Sequence, residues 1–174
     1  MKQILLLGAA LIVFLSPVVK ALTVEEAYQA IPHRQTAFDK TDRALPVAQR
    51  EQLSSLLNLA EQGMVLRVST LKRSITFSSY EKKITRVKQQ LKKLAVFGGL
   101  NLARQDILSA LETQQQYFTL REKPNVQKAQ SQKLIQQGHH LLISAYNRLL
   151  QSYPKVSAKN KQAFFDYLCA LDFI

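Results

Sequence analysis

Leu53, Leu57, Ala60, Met64, Val68, Leu71 and Ile75 recur at steps of three and four. At about 100° per residue that spacing lines one stripe of an α-helix, and it fits no strand, whose side chains alternate faces at every residue. The stretch from about 46 to the mid-70s is therefore predicted to be a core-facing helix, with Pro46 placed for its first turn. One such helix cannot bury its stripe alone. The chain supplies partners three more times. Tyr80, Ile84, Val87, Leu91 and Leu94 keep a strict 4-3-4-3 spacing, the narrow seam of coiled-coil-like packing, and Ser78 with Glu81 reads as the capping box that opens this helix. Ile107, Leu108, Leu111 and Phe118 mark a helix running to about Lys123 and stopped by Pro124, with Asn125 as a cap for its successor. Ile135, Leu142, Tyr146, Leu149 and Tyr153 line that successor, which stops at Pro154.

Shorter helices flank these four. Thr23 and Glu26 form a capping box for a brief helix that Pro32 ends, and Ser157 caps a last helix holding Phe164, Phe165, Leu168 and Leu171. No strand pattern and no internal repeat is visible. The predicted fold class is all-α, an up-and-down helical bundle of four long helices plus short N-terminal and C-terminal helical segments. Gly98-Gly99 is expected to end or kink the second long helix, and Gly138, on the stripe of the fourth, to allow a close neighbour.

The first residues, MKQILLLGAALIVFLSPVVKALTVEE, carry one Lys, an apolar run from Ile4 to Leu15, a Ser16-Pro17 break, then Val19-Lys20-Ala21. That is the pattern of a secretory signal peptide, with small residues at −3 and −1 of a cut after Ala21. The run falls short of the roughly 20 residues a membrane-spanning helix needs. The expected organisation is a signal peptide over 1–21, a short helix and irregular strap over 22–45, and a helical bundle domain over 46–174, exported to the periplasm or beyond, with no transmembrane segment in the mature chain. Cys169 is the one cysteine, so no intramolecular disulfide can form, and its apolar setting in FFDYLCALDF predicts a buried, inert thiol.

The whole chain carries a net charge of +12. Without Lys2 and Lys20, the remaining 22 Lys and Arg stand against 12 Asp and Glu, a net +10 that favours polyanions or anionic surfaces as partners. Residues 72–93 concentrate this charge, with eight basic residues against Glu81. On a helix, Lys82, Arg86 and Lys93 fall opposite the apolar seam, flanked by Lys83, Lys88 and Lys92. A solvated face needs the same residues as a contact ridge does. Nucleic acid is the least favoured partner, because the ridge lacks interleaved aromatics for base stacking and export removes most nucleic acid from reach.

Catalytic and metal patterns are sparse. His139-His140 are adjacent rather than four apart, Glu-x-x-His and G-x-S-x-G are absent, and no Gly-rich phosphate loop occurs. Met64 and His139 could in principle meet across the bundle as axial haem ligands, although C-x-x-C-H is missing. No cofactor is expected. The remaining candidate is the aperiodic segment IPHRQTAFDKTDRALP, residues 31–46. There, around the one aromatic Phe38, His33 could act as a base, Asp39 or Asp42 could orient it, and Arg34 could hold an anion. Equally, Ile31 and Phe38 could pin the segment into the bundle as a docking strap while the Asp residues bond helix ends. The expected function is that of a non-enzymatic binding, adaptor or chaperone-like factor whose partner is another envelope protein or an anionic envelope component. The contact residues would be His33, Arg34, Phe38, Asp39, Lys82, Arg86 and Lys93. Two alternatives accompany it: an anionic-lipid or polyanion binder acting through 72–93, and a haem bundle or an enzyme using His33, Arg34 and Asp39.

Overall fold

The computed structural model describes residue 26, residues 36–125 and residues 128–169. Five helices follow one another: α1 (Val47–Leu71), α2 (Phe77–Lys93), α3 (Gly99–Arg121), α4 (Lys128–Ser152) and α5 (Ala158–Leu168). No strand occurs among the described residues. The four long helices and the short last one form the expected bundle. Neighbours in sequence pack against each other from α1 to α5, α5 returns to α1, and α3 also touches α1 across the middle. The N-terminal helix expected from Thr23 lies outside the described residues, apart from Glu26, which is helical.

α1 is more deeply enclosed than a single stripe implies. Leu53, Leu57, Ala60, Met64 and Val68 are buried, and so are Leu56, Leu59 and Leu66, because α2, α3 and α5 all pack on this helix. It stops at Leu71 rather than in the mid-70s. The amide of Ser74 donates to the Ser69 carbonyl at 2.8 Å, that of Arg73 donates to Thr70 at 3.1 Å, and Arg73 adopts φ 55°. This is a Schellman stop with a non-glycine residue in the left-handed position. Ile75 is buried after the turn, so the stripe outlives the helix.

α2 buries Tyr80, Ile84, Val87 and Leu91, the predicted seam, while Leu94 caps the helix and is only partly buried. The expected capping box at Ser78 is not formed. Thr76 is the cap instead: it is extended, and its hydroxyl accepts from the Ser79 amide at 3.2 Å, so the helix begins at Phe77 and Glu81 lies beyond reciprocal reach. The Ser157 cap of α5 is present, accepting from the Asn160 amide at 3.3 Å. Asn125 adopts φ 66°, a left-handed turn conformation rather than that of a helix cap.

α4 differs most from its predicted stripe. Leu142, Ala145, Leu149 and Tyr153 are buried and Tyr146 is half-buried, but Ile135 is 39% exposed, since no residue from 128 to 141 is buried. Only the second half of α4 enters the core. Gly138 is not a point of close approach, because a Cβ there would meet Thr113 at an ordinary 3.9 Å. The tight contacts are elsewhere. A Cβ at Gly63 would lie 2.4 Å from Leu111 Cδ2, where α3 meets α1, and one at Gly99 would lie 1.8 Å from Ser152 Oγ, where the start of α3 meets the end of α4. Gly138→Ala is therefore expected to raise stability by about 0.5–1 kcal/mol through its helix propensity. Gly99→Ala is expected to lower it by about 1–3 kcal/mol through overpacking, and denaturant titration of the two variants checks the opposite signs.

Candidate functional site

The described part of the 31–46 segment, from Thr36 onward, lies along α5. The Thr36 amide donates to Asp166, the Asp39 amide donates to Asn160 Oδ1 at 2.8 Å, and Asn160 Nδ2 donates back to the Asp39 carbonyl at 3.0 Å. Asn160 and Asp166 are buried, so this backbone supplies partners that the two side chains would otherwise lack. Phe38 stacks on Phe164 with centroids 6.1 Å apart, and Leu45 is 2% exposed. Asp42 Oδ2 accepts from the Ser157 amide at 2.8 Å and from Asn160 Nδ2 at 3.0 Å, which makes it a second cap on α5 from 115 residues away in sequence. Arg50 closes the segment onto α1, donating to the carbonyls of Leu45 and Asp42.

The two carboxylates offered by the sequence for chemistry are thus occupied locally. Asp39 Oδ1 accepts from both the amide and the hydroxyl of Thr41, at 2.8 and 2.7 Å, and Lys159 lies 3.9 Å from Oδ2. His33 and Arg34 lie outside the described residues. Phe38 is half-buried against the core.

The ridge on α2 has a different character. Lys82, Arg86 and Lys93 are exposed, and Lys83 and Lys88 are partly covered. Among the described residues, none of these five forms an ion pair. Lys92 reaches Glu112 on α3 at 3.6 Å in a pair exposed on both sides, a geometry that contributes little to stability. Two grooves border the ridge. One, of about 520 Å³, runs between Lys88 on α2, Glu112, Gln115, Gln116 and Lys123 on or near α3, and Gln130 on α4. Its neighbour, of about 450 Å³, is lined by Glu81, Lys82, Arg86 and Gln89 and shares Gln115. Cations and amide side chains outnumber the one carboxylate in each solvent-open groove, and they offer charge-assisted hydrogen bonds to an extended anion.

The remaining sequence candidates do not assemble. His139 and His140 diverge, with ring centroids 5.7 Å apart and His140 exposed. Met64 is fully buried beside a void of about 30 Å³ between Ala60, Ile107, Leu111 and Leu142, space for about one water and not for a macrocycle. Among the described residues no His, Cys, Asp and Glu group is arranged to hold a metal ion, and Cys169 is buried. No described helix is long and apolar enough to cross a membrane. Asn160, Asp166 and Arg104 escaped the sequence reading, because a polar residue destined for burial is not marked by periodicity. Comparisons with protein-family models, with characterised proteins and with solved structures find no match.

The hydrogen bonds from Ser157 and then Ala44 hold the Asp42 carboxyl down at about 2, against an ordinary 3.8. A depressed carboxyl stabilises the fold above its unfolded value, and that contribution is lost as pH falls toward the folded value. The strap and α5 are accordingly expected to loosen between about pH 4 and 2. Asp42→Asn should flatten the pH dependence of stability in that window, measured by denaturation at a series of pH values.

Proposed function

We propose that the chain is an exported, non-catalytic binding protein of the cell envelope, that its contact surface is the outer face of α2, and that its partner is polyanionic. The observation that carries the reading is the set of five α2 cations, Lys82, Lys83, Arg86, Lys88 and Lys93, none of which forms an ion pair among the described residues. A helix that needed charge only for solubility gains from neighbouring carboxylates at helical spacing, whereas α2 carries Glu81 alone beside them. Like charges concentrated on one face repel each other, and an anion placed along that face relieves the repulsion. The amide-lined grooves beside the ridge supply direction, since glutamines accept and donate along an extended chain where lysines act as point charges. The strap at 36–46 belongs to the scaffold in this reading, with Asp39 and Asp42 engaged by Thr41, Ser157 and Asn160.

Heparin and inorganic polyphosphate are suitable probes. Binding is expected at low salt and to weaken steeply as salt rises. Changing Lys82, Arg86 and Lys88 together to Gln should lower heparin affinity about tenfold or more while leaving the melting temperature nearly unchanged, because exposed charges contribute little to folding. Unaltered elution of the triple variant from a heparin column would exclude the ridge as the contact surface.

A further inference from the structure

Three of the exposed large apolar side chains, Val47, Phe97 and Leu102, gather at one end of the bundle. Val47 opens α1, Phe97 lies in the α2–α3 connection, and Leu102 sits in the first turn of α3. Two contacts place these elements together. Tyr153, just past the end of α4, donates its hydroxyl to Gln49 Oε1 on the first turn of α1 at 2.6 Å, and Gly99 at the start of α3 abuts Ser152 at the end of α4.

The α2–α3 connection, Leu94-Ala95-Val96-Phe97-Gly98, is held in a defined shape. Leu94 and Val96 pack against the core, while Ala95 and Phe97 face solvent, Phe97 at 66% exposure. Arg104 fastens the turn from α3. Its Nη1 donates to the carbonyls of Lys92 and Leu94 at 3.2 and 3.0 Å, and its Nη2 donates to Asn101 Oδ1 at 2.7 Å. Gly98, at φ 56° and ψ −133°, turns the chain into α3 in a region that other residues rarely adopt. The guanidinium caps the last carbonyls of α2, and in fixing the turn it also holds the Phe97 ring out in water. Lys93 stands exposed on the last turn of α2 beside this connection, with Lys92 next to it in its solvent-exposed pair with Glu112, and Lys155, also exposed, follows α4 at the same end.

We propose that this end of the bundle docks on an anionic lipid surface, with Phe97 inserted at the level of the headgroups and Lys92 and Lys93 against lipid phosphates. An exposed ring on a clasped turn, with Val47 and Leu102 at the same end and lysines on the last turn of α2, matches the interfacial zone of a bilayer, where apolar side chains gain apolar surroundings and lysine stems reach back to charged headgroups. A protein partner would call for a broader apolar patch than these three side chains offer, since stable protein interfaces cover about 800 Å² on each side. The docking tip shares Lys93 with the ridge, but the two readings can be told apart, because Lys82, Arg86 and Lys88 lie along the side of α2 and Phe97 lies beyond its end.

The absence of tryptophan from the chain gives a direct test. In protein recovered from expression of the full chain, Phe97→Trp should show a blue-shifted emission, quenched by brominated acyl chains, on addition of vesicles containing about 30% phosphatidylglycerol in phosphatidylcholine. Ile135→Trp, on the first half of α4, should show neither. Phe97→Ser should lower vesicle partitioning about tenfold or more without moving the melting temperature, and Lys92→Gln with Lys93→Gln should lower it about tenfold and remove most of its salt dependence. An emission spectrum of Phe97→Trp that vesicles leave unshifted, or equal partitioning of Phe97→Ser and the parent chain, would overturn the proposal. So would Phe97-dependent self-association in sedimentation without vesicle insertion. The Lys82, Arg86 and Lys88 triple variant should keep its Phe97-dependent insertion whatever its heparin affinity, which separates failure of one reading from failure of the other.

Discussion

The bundle turns on the close approach of α3 to α1 at Gly63. The missing side chain there lets Leu111 press onto the α1 backbone, and Gln114, one turn further along α3, donates to the Gly63 carbonyl at 3.1 Å and to the buried Tyr80 hydroxyl at 3.3 Å. One amide therefore ties α3 to α1 and α2 together. Burial raises the Tyr80 phenol well above its ordinary range, so it remains a neutral hydrogen-bonding group in the core. With α1 and α3 in contact through the middle, α2 is left on one flank and α4 with α5 on the other, which gives α2 an outer face free of other helices. The cationic face follows from that placement.

A second polar device holds the far flank. Asp106 on α3 accepts from Ser144 and Arg148 on α4, each at 2.6 Å, and this partly buried cluster sets the register of the most extensive helix pair in the molecule. Such groups are costly when left unpaired and specify one arrangement when fully bonded. Together with Gln114 and Asn160, they mark the places where α3 and α5 are fixed by hydrogen bonds and not by apolar packing alone.

Much of the architecture was legible because helical periodicity reports burial wherever a helix has one buried side. The α2 seam is the clearest case: Tyr80, Ile84, Val87 and Leu91 are all enclosed as spaced. Legibility failed where burial depends on a partner distant in sequence. α1 is covered from three directions, so Leu56, Leu59 and Leu66 are buried off its predicted stripe, and Ile135 is exposed because the first half of α4 extends past the core. Local competition displaced the α2 cap, since Thr76 and Ser78 carry equivalent hydroxyls and only the backbone conformation selects between them. Of the candidate contact residues, Lys82, Arg86 and Lys93 stand on the exposed face that their spacing assigns, whereas Phe38 and Asp39 are taken up in holding the strap to α5. Arg104 and Phe97 carried no pattern, because a clasp and a tip are defined by what surrounds them.

The strap has a consequence for how the chain reaches its final form. Its receptor residues, Asn160, Phe164 and Asp166, lie more than a hundred positions downstream of the backbone they hold. A polypeptide made from its N-terminus presents the strap first and the receptor last, so contacts of such long range close late, after the intervening helices have formed. Until then Phe38 and Phe164 stay uncovered. The pairing acts as a completion seal: a product truncated before α5 leaves both the strap and the core open, and would carry an unfinished surface that a folded molecule hides.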